Sequence, residues 1–343
     1  MIQATIREKT MRVEHKLTAA RLALSTLAVT AALGLGAFDG GVRPAGAQEQ
    51  RPAAAPLSFH VVDNFLKLPE HINMAEVVGT TLDSQGHVFV LNRGHQPILE
   101  FNPDGTFIRS IGEGIPTEGP HNVRVDPQDN LWYIDAGTNL VMKFDQQMHI
   151  QMVLGRRPEP WTYMTHVIER AIPQPMNFYQ PTDVTWGPDG SIFVADGYGN
   201  SRVAKFSKEG NLIKQWGERG TAPGEFNTPH SIVIDQKNNL YVADRANGRI
   251  QVFDTEGSFK QEWRIGGAPW SICITPGPRQ VMYVGSVGKV IKIDTDGKVL
   301  GSMGKFGRVP GTFDWVHGIA CPNENTVYAA QELSWRLDKL TVD

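Results

Sequence analysis

One pattern recurs along most of the chain: a Gly/Pro loop, a short strand, an acidic or Gly turn and a second short strand. It is clearest in residues 217–253, where SIVID, LYVAD and RIQVF read as strands and QKNN as a turn. The unit reappears in LDSQGHVFVLN, VDPQDNLWYID, WGPDGSIFVAD, ITPGPRQVMYVG and ACPNENTVYAA. Aligned on the residue that leads into the first strand, the six copies start at Val78, His121, Thr182, His230, Trp270 and His317, with spacings of 43, 61, 48, 40 and 47 residues. A repeat of this size is a supersecondary unit that buries its faces against its neighbours, so it dictates the architecture before any single residue does.

Several short strands in each period of about 40 residues indicate propeller blades. The expected fold is all-β, a six-bladed β-propeller over residues 59–343. A lone strand within 59–69 is expected to pair with the C-terminal segment, closing the ring and removing an exposed edge. The long interval before Thr182 holds an insertion over 151–175, where THVIERAI reads as one or two helical turns and the segment as a lid over one face.

Composition supports this reading. With 35 Gly and 22 Pro punctuating β-rich runs, and 41% hydrophobic against 20% charged residues, the chain is globular and turn-rich. Net charge is −3, and residues after 47 carry 27 Lys/Arg against 33 Asp/Glu, a balance that does not suit nucleic acid or an anionic membrane surface. Residues 1–47 read as a signal peptide: Arg7, Lys9, Arg12, Lys16 and Arg21 precede an apolar run, and Ala45-Gly46-Ala47 is a cleavage pattern. An uncleaved anchor is the alternative, but the run is short for a spanning helix. A periplasmic or secreted protein, free of the membrane after cleavage, is expected, with residues 48–58 as a flexible linker. Cys273 and Cys321 lie three and four residues past their leading residues, an offset that is expected to turn them to opposite faces and leave them unpaired.

The first strand of a propeller blade lines the central channel, so its leading residue sits at the channel mouth. Histidine holds that place in copies two, four and six: His121, His230 and His317. Alternate blades of a six-fold ring lie 120° apart, so three imidazoles converge, leaving an open position as in a catalytic zinc site; iron or copper also accept imidazole. A single histidine at such a junction is ordinarily structural, but copying a repeat does not skip every other copy. The second strand returns to the same face, and its end carries Arg93, Tyr198 and Arg245. Arginines there suit a carboxylate or a developing oxyanion, and a tyrosine beside cations suits a base of lowered pKa. The plainer alternatives are an inter-blade salt bridge for Arg245 and a packed rim aromatic for Tyr198. Asp126, Asp135, Asp196, Asp235 and Asp244 recur at turns and strand ends and read as structural. No G-x-S-x-G elbow occurs.

The motifs DGYGNSR, PHSIVID and ADRANGRIQ resemble those of the NHL-repeat propellers, and within them the peptidyl-α-hydroxyglycine α-amidating lyases. The likeness is strongest over 180–253 and weaker over 77–330. It implies that His121, His230 and His317 bind zinc, that Tyr198 is catalytic, and that Arg93 and Arg245 contact the substrate. The implied reaction cleaves the N–Cα bond of a small-molecule or peptide substrate ending in α-hydroxyglycine, giving an amide and glyoxylate. A related α-hydroxy amide is the variant expected for a bacterial member. The chain departs from the family at Gly318, where the family carries an aspartate that binds a structural calcium, and at Gly199, Tyr241 and Val252, where it carries disulfide cysteines. A non-catalytic propeller that binds a protein or glycan partner around a structural metal is the competing reading. A lactonase-like hydrolase is a third, disfavoured because such sites use carboxylates.

Overall fold

The computed structural model describes residues 55–115, 117–157 and 176–343. The signal-peptide reading, the first part of the linker and the helical reading of THVIERAI lie outside them. Six four-stranded antiparallel sheets are present, and no helix occurs among the described residues. The first strands are Val77–Leu82, Pro120–Val125, Asp183–Trp186, Pro229–Ile234, Ser271–Ile274 and Val316–Asn323, for blades one to six. The second strands are Val88–Asn92, Leu131–Asp135, Ile192–Asp196, Leu240–Asp244, Val281–Ser286 and Thr326–Gln331.

Five blades are built from four consecutive strands. The sixth is completed by the N-terminal strand Phe59–Val61, which pairs antiparallel with Arg336–Val342 in the register Phe59↔Val342 and Val61↔Leu340. The ring therefore closes by joining the two ends of the described chain, and the last blade's edge is covered. The segment read as linker is pinned at its C-terminal end: Leu57 N donates to Ser302 O at 2.8 Å and Ser302 N to Ala55 O at 2.9 Å, so these residues run beside the outer strand of blade five.

Six apolar clusters fill the six inter-blade spaces. Between blades four and five, for example, Tyr241, Ile250 and Trp263 meet Ile272, Met282 and Ile291. Each buried strand is apolar on both faces because a blade has a neighbour on each side.

The cysteine expectation is overturned. Cys273 and Cys321 form a disulfide across blades five and six, with Cα atoms 5.9 Å apart. The physical reason is the way adjacent blades face one another. Cys273 packs between blades five and six while its neighbours Ile272 and Ile274 face blade four, and Cys321 packs in that same space while its neighbour Ala320 faces blade one. The two therefore do lie on opposite faces of their own sheets, and in a ring those are the faces that adjacent blades turn toward each other.

Candidate metal centre

Bulges aim the histidines. Register shifts fall at Pro120/Asn122, Pro229/Ser231 and Val316/Gly318, each straddling the histidine that leads its blade. A bulge turns one side chain out of the strand's alternation, here toward the channel axis. The ring centroids of His121, His230 and His317 form a nearly equilateral triangle with sides of 4.6, 4.7 and 4.8 Å. All three are buried, and one ligand atom from each lies within 4.8 Å of the others.

The orientation of each ring is fixed by the next blade. His121 Nδ1 bonds the carbonyl of Thr182 at 2.7 Å, His230 Nδ1 that of Trp270 at 2.6 Å, and His317 Nδ1 that of Val78 at 2.7 Å. The three acceptors are the leading residues of the three blades that lack histidine. A carbonyl only accepts, so Nδ1 carries the proton and Nε2 presents a lone pair toward the axis. Burial holds the rings neutral, helped by a neighbouring imidazole and arginine at His121 and His230, which lie well below the ordinary histidine range, and by Arg93 and Arg245 at His317, which is pushed down to about 3. Three convergent, neutral Nε2 lone pairs are a ligand set for a metal ion.

The loops that lead to the histidines are clamped by the last residue of each second strand. Asp135 accepts from Gly119 N at 3.1 Å, Asp244 from Asn227 N at 2.7 Å, and Gln331 from Asp314 N at 3.0 Å. The recurring aspartates are thus structural, as their turn positions suggest.

Tyr198 hangs over the triangle. Its hydroxyl lies 2.9 Å from His230 Nε2, 3.1 Å from His121 Nε2 and 3.3 Å from Arg245 Nη1. The DGYG motif explains the placement. A Cβ on Gly197 would lie 2.2 Å from Pro229 O, and one on Gly199 would lie 1.4 Å from the Tyr179 ring, so both flanking positions must be glycine for the chain to pass this close. A single O–H can satisfy only one of two facing lone pairs, so the hydroxyl and the imidazoles together leave acceptor capacity that a cation would fill. Tyr198 does not match the expectation of a lowered pKa in the chain alone: burial raises it, against the opposing pull of Arg245.

Among the described residues Arg245 pairs with no carboxylate; its guanidinium lies 4.3 Å from the Trp270 ring and 5.2 Å from the Tyr198 ring. The inter-blade salt bridge considered for it is not formed among the described residues. Arg93 is paired instead: Nη1 donates to Glu332 at 2.5 Å and Nε to Pro120 O at 3.3 Å. Glu332 was not singled out from sequence. Its signal was positional, since it follows the last residue of its second strand just as Arg93 and Arg245 follow theirs. Trp270, which stacks with Trp315 at 4.9 Å, was also passed over as a wall of the site.

Comparison with known proteins agrees with this fold. A family model described as a 6-bladed beta-propeller matches residues 178–284. The chain is 32% identical over 230 residues to a peptidyl-glycine alpha-amidating monooxygenase of Mus musculus, covering 58% of this chain and 22% of that protein. It is 32% identical over 206 residues to a probable peptidyl-alpha-hydroxyglycine alpha-amidating lyase of Caenorhabditis elegans, covering 52% of this chain and 56% of that one. This chain is a six-bladed β-propeller with amidating lyases among its homologues. NHL repeat-containing protein 3 of Homo sapiens is a homologue too, 31% identical over 229 residues, covering 63% of this chain and 61% of that protein. The chain thus spans under a quarter of the mouse monooxygenase and little more than half of the shorter relatives. Among solved structures a streptogramin B lyase superposes with a TM-score of 0.56 at 15% identity, covering 83% of this chain and 98% of that one, a likeness of fold.

Proposed function

We propose that this propeller is an exported, zinc-dependent lyase that cleaves the N–Cα bond of a substrate ending in α-hydroxyglycine, releasing an amide and glyoxylate. The observation that carries the reading is the Tyr198 hydroxyl, placed within hydrogen-bond reach of two Nε2 atoms of the histidine triangle and of Arg245. A structural metal needs neither a phenol nor a guanidinium in that place.

His121, His230 and His317 would hold the ion through Nε2. Zinc bound there supplies a Lewis acid that makes a coordinating alcohol more acidic. The rest of the chemistry belongs to the chain. The Tyr198 oxygen is positioned to take the proton of the substrate's α-hydroxyl. As that proton leaves, the C–O bond becomes a carbonyl, the N–Cα bond breaks, and the departing amide nitrogen takes up a proton. Arg245, its guanidinium over Trp270 and paired with no carboxylate among the described residues, is positioned to bind the substrate carboxylate in bidentate fashion, and Arg93 lies on the same rim. Arg245 also favours the ionised form of Tyr198, in the same sense as a positive ion at the histidines.

The test follows glyoxylate release from a zinc-loaded sample given an acyl-α-hydroxyglycine, with Tyr198→Phe as control. Release that needs Tyr198 supports the lyase. No release, with one zinc per chain confirmed, favours the non-catalytic propeller.

A further inference from the structure

Directly beneath the histidines the channel is crossed by a buried ion pair that the proposed chemistry does not use. Asp183, fully buried in the first strand of blade three, accepts six hydrogen bonds. Its Oδ1 takes Asn122 Nδ2 at 2.8 Å, Arg124 Nε at 2.8 Å and Val184 N at 2.9 Å. Its Oδ2 takes Arg124 Nη2 at 2.5 Å, Ser231 Oγ at 2.7 Å and Ile232 N at 3.0 Å. Arg124 Nη2 reaches on to Ser231 Oγ at 3.3 Å and to Ile272 O at 3.2 Å. One guanidinium and one carboxylate thus join the first strands of blades two, three, four and five. Asn122 and Ser231, both in this network, are the residues that follow His121 and His230.

The same depth is poorly suited to calcium. Such an ion takes six to eight oxygens, carboxylates among them. Position 318 offers none, and a Cβ there would lie 2.7 Å from Gly79 Cα and 2.8 Å from Val78 O, so blades six and one are in backbone contact where a carboxylate would have to sit. Both oxygens of Asp183 are filled. The guanidinium, with its side chain 12% exposed, adds a positive charge that opposes a second cation. Below it Arg124 lines a cavity of about 530 Å³ at the far ends of the six first strands.

We propose that Arg124 is the fixed internal cation of this channel: with Asp183 it sets the spacing of blades two to five, positions His121 and His230 for metal binding, and leaves the channel without calcium. Arg124 is a positioning residue in this account. The proposal does not depend on which substrate the site cleaves.

The test has two parts. In the first, zinc-loaded protein is prepared in calcium-free buffer, assayed for calcium by elemental analysis, and melted with and without added calcium. No bound calcium and an unchanged melting temperature are expected; one calcium per chain, or a rise in melting temperature on adding it, overturns the proposal. In the second, cobalt(II) is loaded as the probe in wild type, Arg124→Ser and Arg124→Lys. Arg124→Ser is expected to weaken cobalt affinity by about tenfold or more, in line with the loss of other outer partners of metal ligands, and to shift the visible bands of the cobalt site. Arg124→Lys keeps the charge but not the fork, and is expected to recover part of the affinity. A lower melting temperature with cobalt affinity and bands unchanged would show mere structural support and overturn the positioning role. If Arg124→Ser does not fold, Arg124→Lys carries the same comparison: bands and affinity equal to wild type overturn the proposal, and a shift supports it.

Discussion

The Tyr198 hydroxyl sits 2.9 Å from His230 Nε2 and 3.1 Å from His121 Nε2, so this phenol shares its oxygen between two blades that are not sequence neighbours. Replacing Tyr198 with Phe removes that oxygen and no metal ligand. Turnover of an α-hydroxyglycine substrate is expected to fall by roughly 10²- to 10⁴-fold, the scale of a lost general base, with metal content at the wild-type level. Parallel measurement of kcat and metal stoichiometry checks this; undiminished kcat would remove Tyr198 from the chemistry.

His230→Ala deletes one corner of the triangle. Metal stoichiometry under dialysis is expected to drop well below one per chain, and the melting temperature of metal-loaded wild type to exceed that of the stripped protein, since an ion bound by the native state alone stabilises it. Equal stoichiometry in mutant and wild type would refute the ligand assignment.

Gly199→Ala tests the packing that aims Tyr198. The added Cβ would overlap the Tyr179 ring, so chain or ring must move. A loss of about 1–3 kcal/mol in stability, typical of overpacking, is expected together with a fall in kcat. Chemical denaturation and steady-state kinetics on the same preparation measure both.

The Cys273–Cys321 bridge links first strands 48 residues apart in sequence. Cys273→Ala is expected to cost about 2–4 kcal/mol, and reductant to lower the melting temperature of wild type but not of the mutant. A melting temperature indifferent to reductant would show that the bridge does not form.

On the acid side, turn carboxylates contribute. The backbone of His149 and the side chain of Ser191 are the leading causes that hold Asp145 and Asp189 below the usual carboxylate range. A depressed folded-state pKa gives stability that is present above the unfolded value, near 4, and is lost as pH falls through the folded one. The melting temperature is therefore expected to decline from about pH 4 downward. Asp145→Asn with Asp189→Asn should flatten that decline, which a pH series of melts will show.

The repeat period was enough to read six blades, the closing strand and the three histidines, because strand length, turn chemistry and period are local properties written in every copy. The skip of one blade between histidines carried the further inference of convergence. Glu332, Trp270 and the Arg124–Asp183 pair were not legible in the same way. Their partners lie 239, 25 and 59 residues away along the chain, across blade boundaries that a single repeat does not encode. The cysteines show the limit most plainly. Alternation put them on opposite faces of their own sheets, and only the closed ring shows that these two faces are the ones that meet between blades five and six.

The sequence by itself determined the all-β class, the number of blades and the identity of the six residues at the channel mouth, since periodicity and residue type survive without coordinates. Only the tertiary structure decided which nitrogen of each imidazole faces the axis, that Arg93 pairs with Glu332 while Arg245 stacks on Trp270, and that Cys273 meets Cys321. Those outcomes depend on closing the ring: when the first strand joins the last blade, each first strand is brought against its neighbour. The carbonyl of one blade then fixes the histidine of the next.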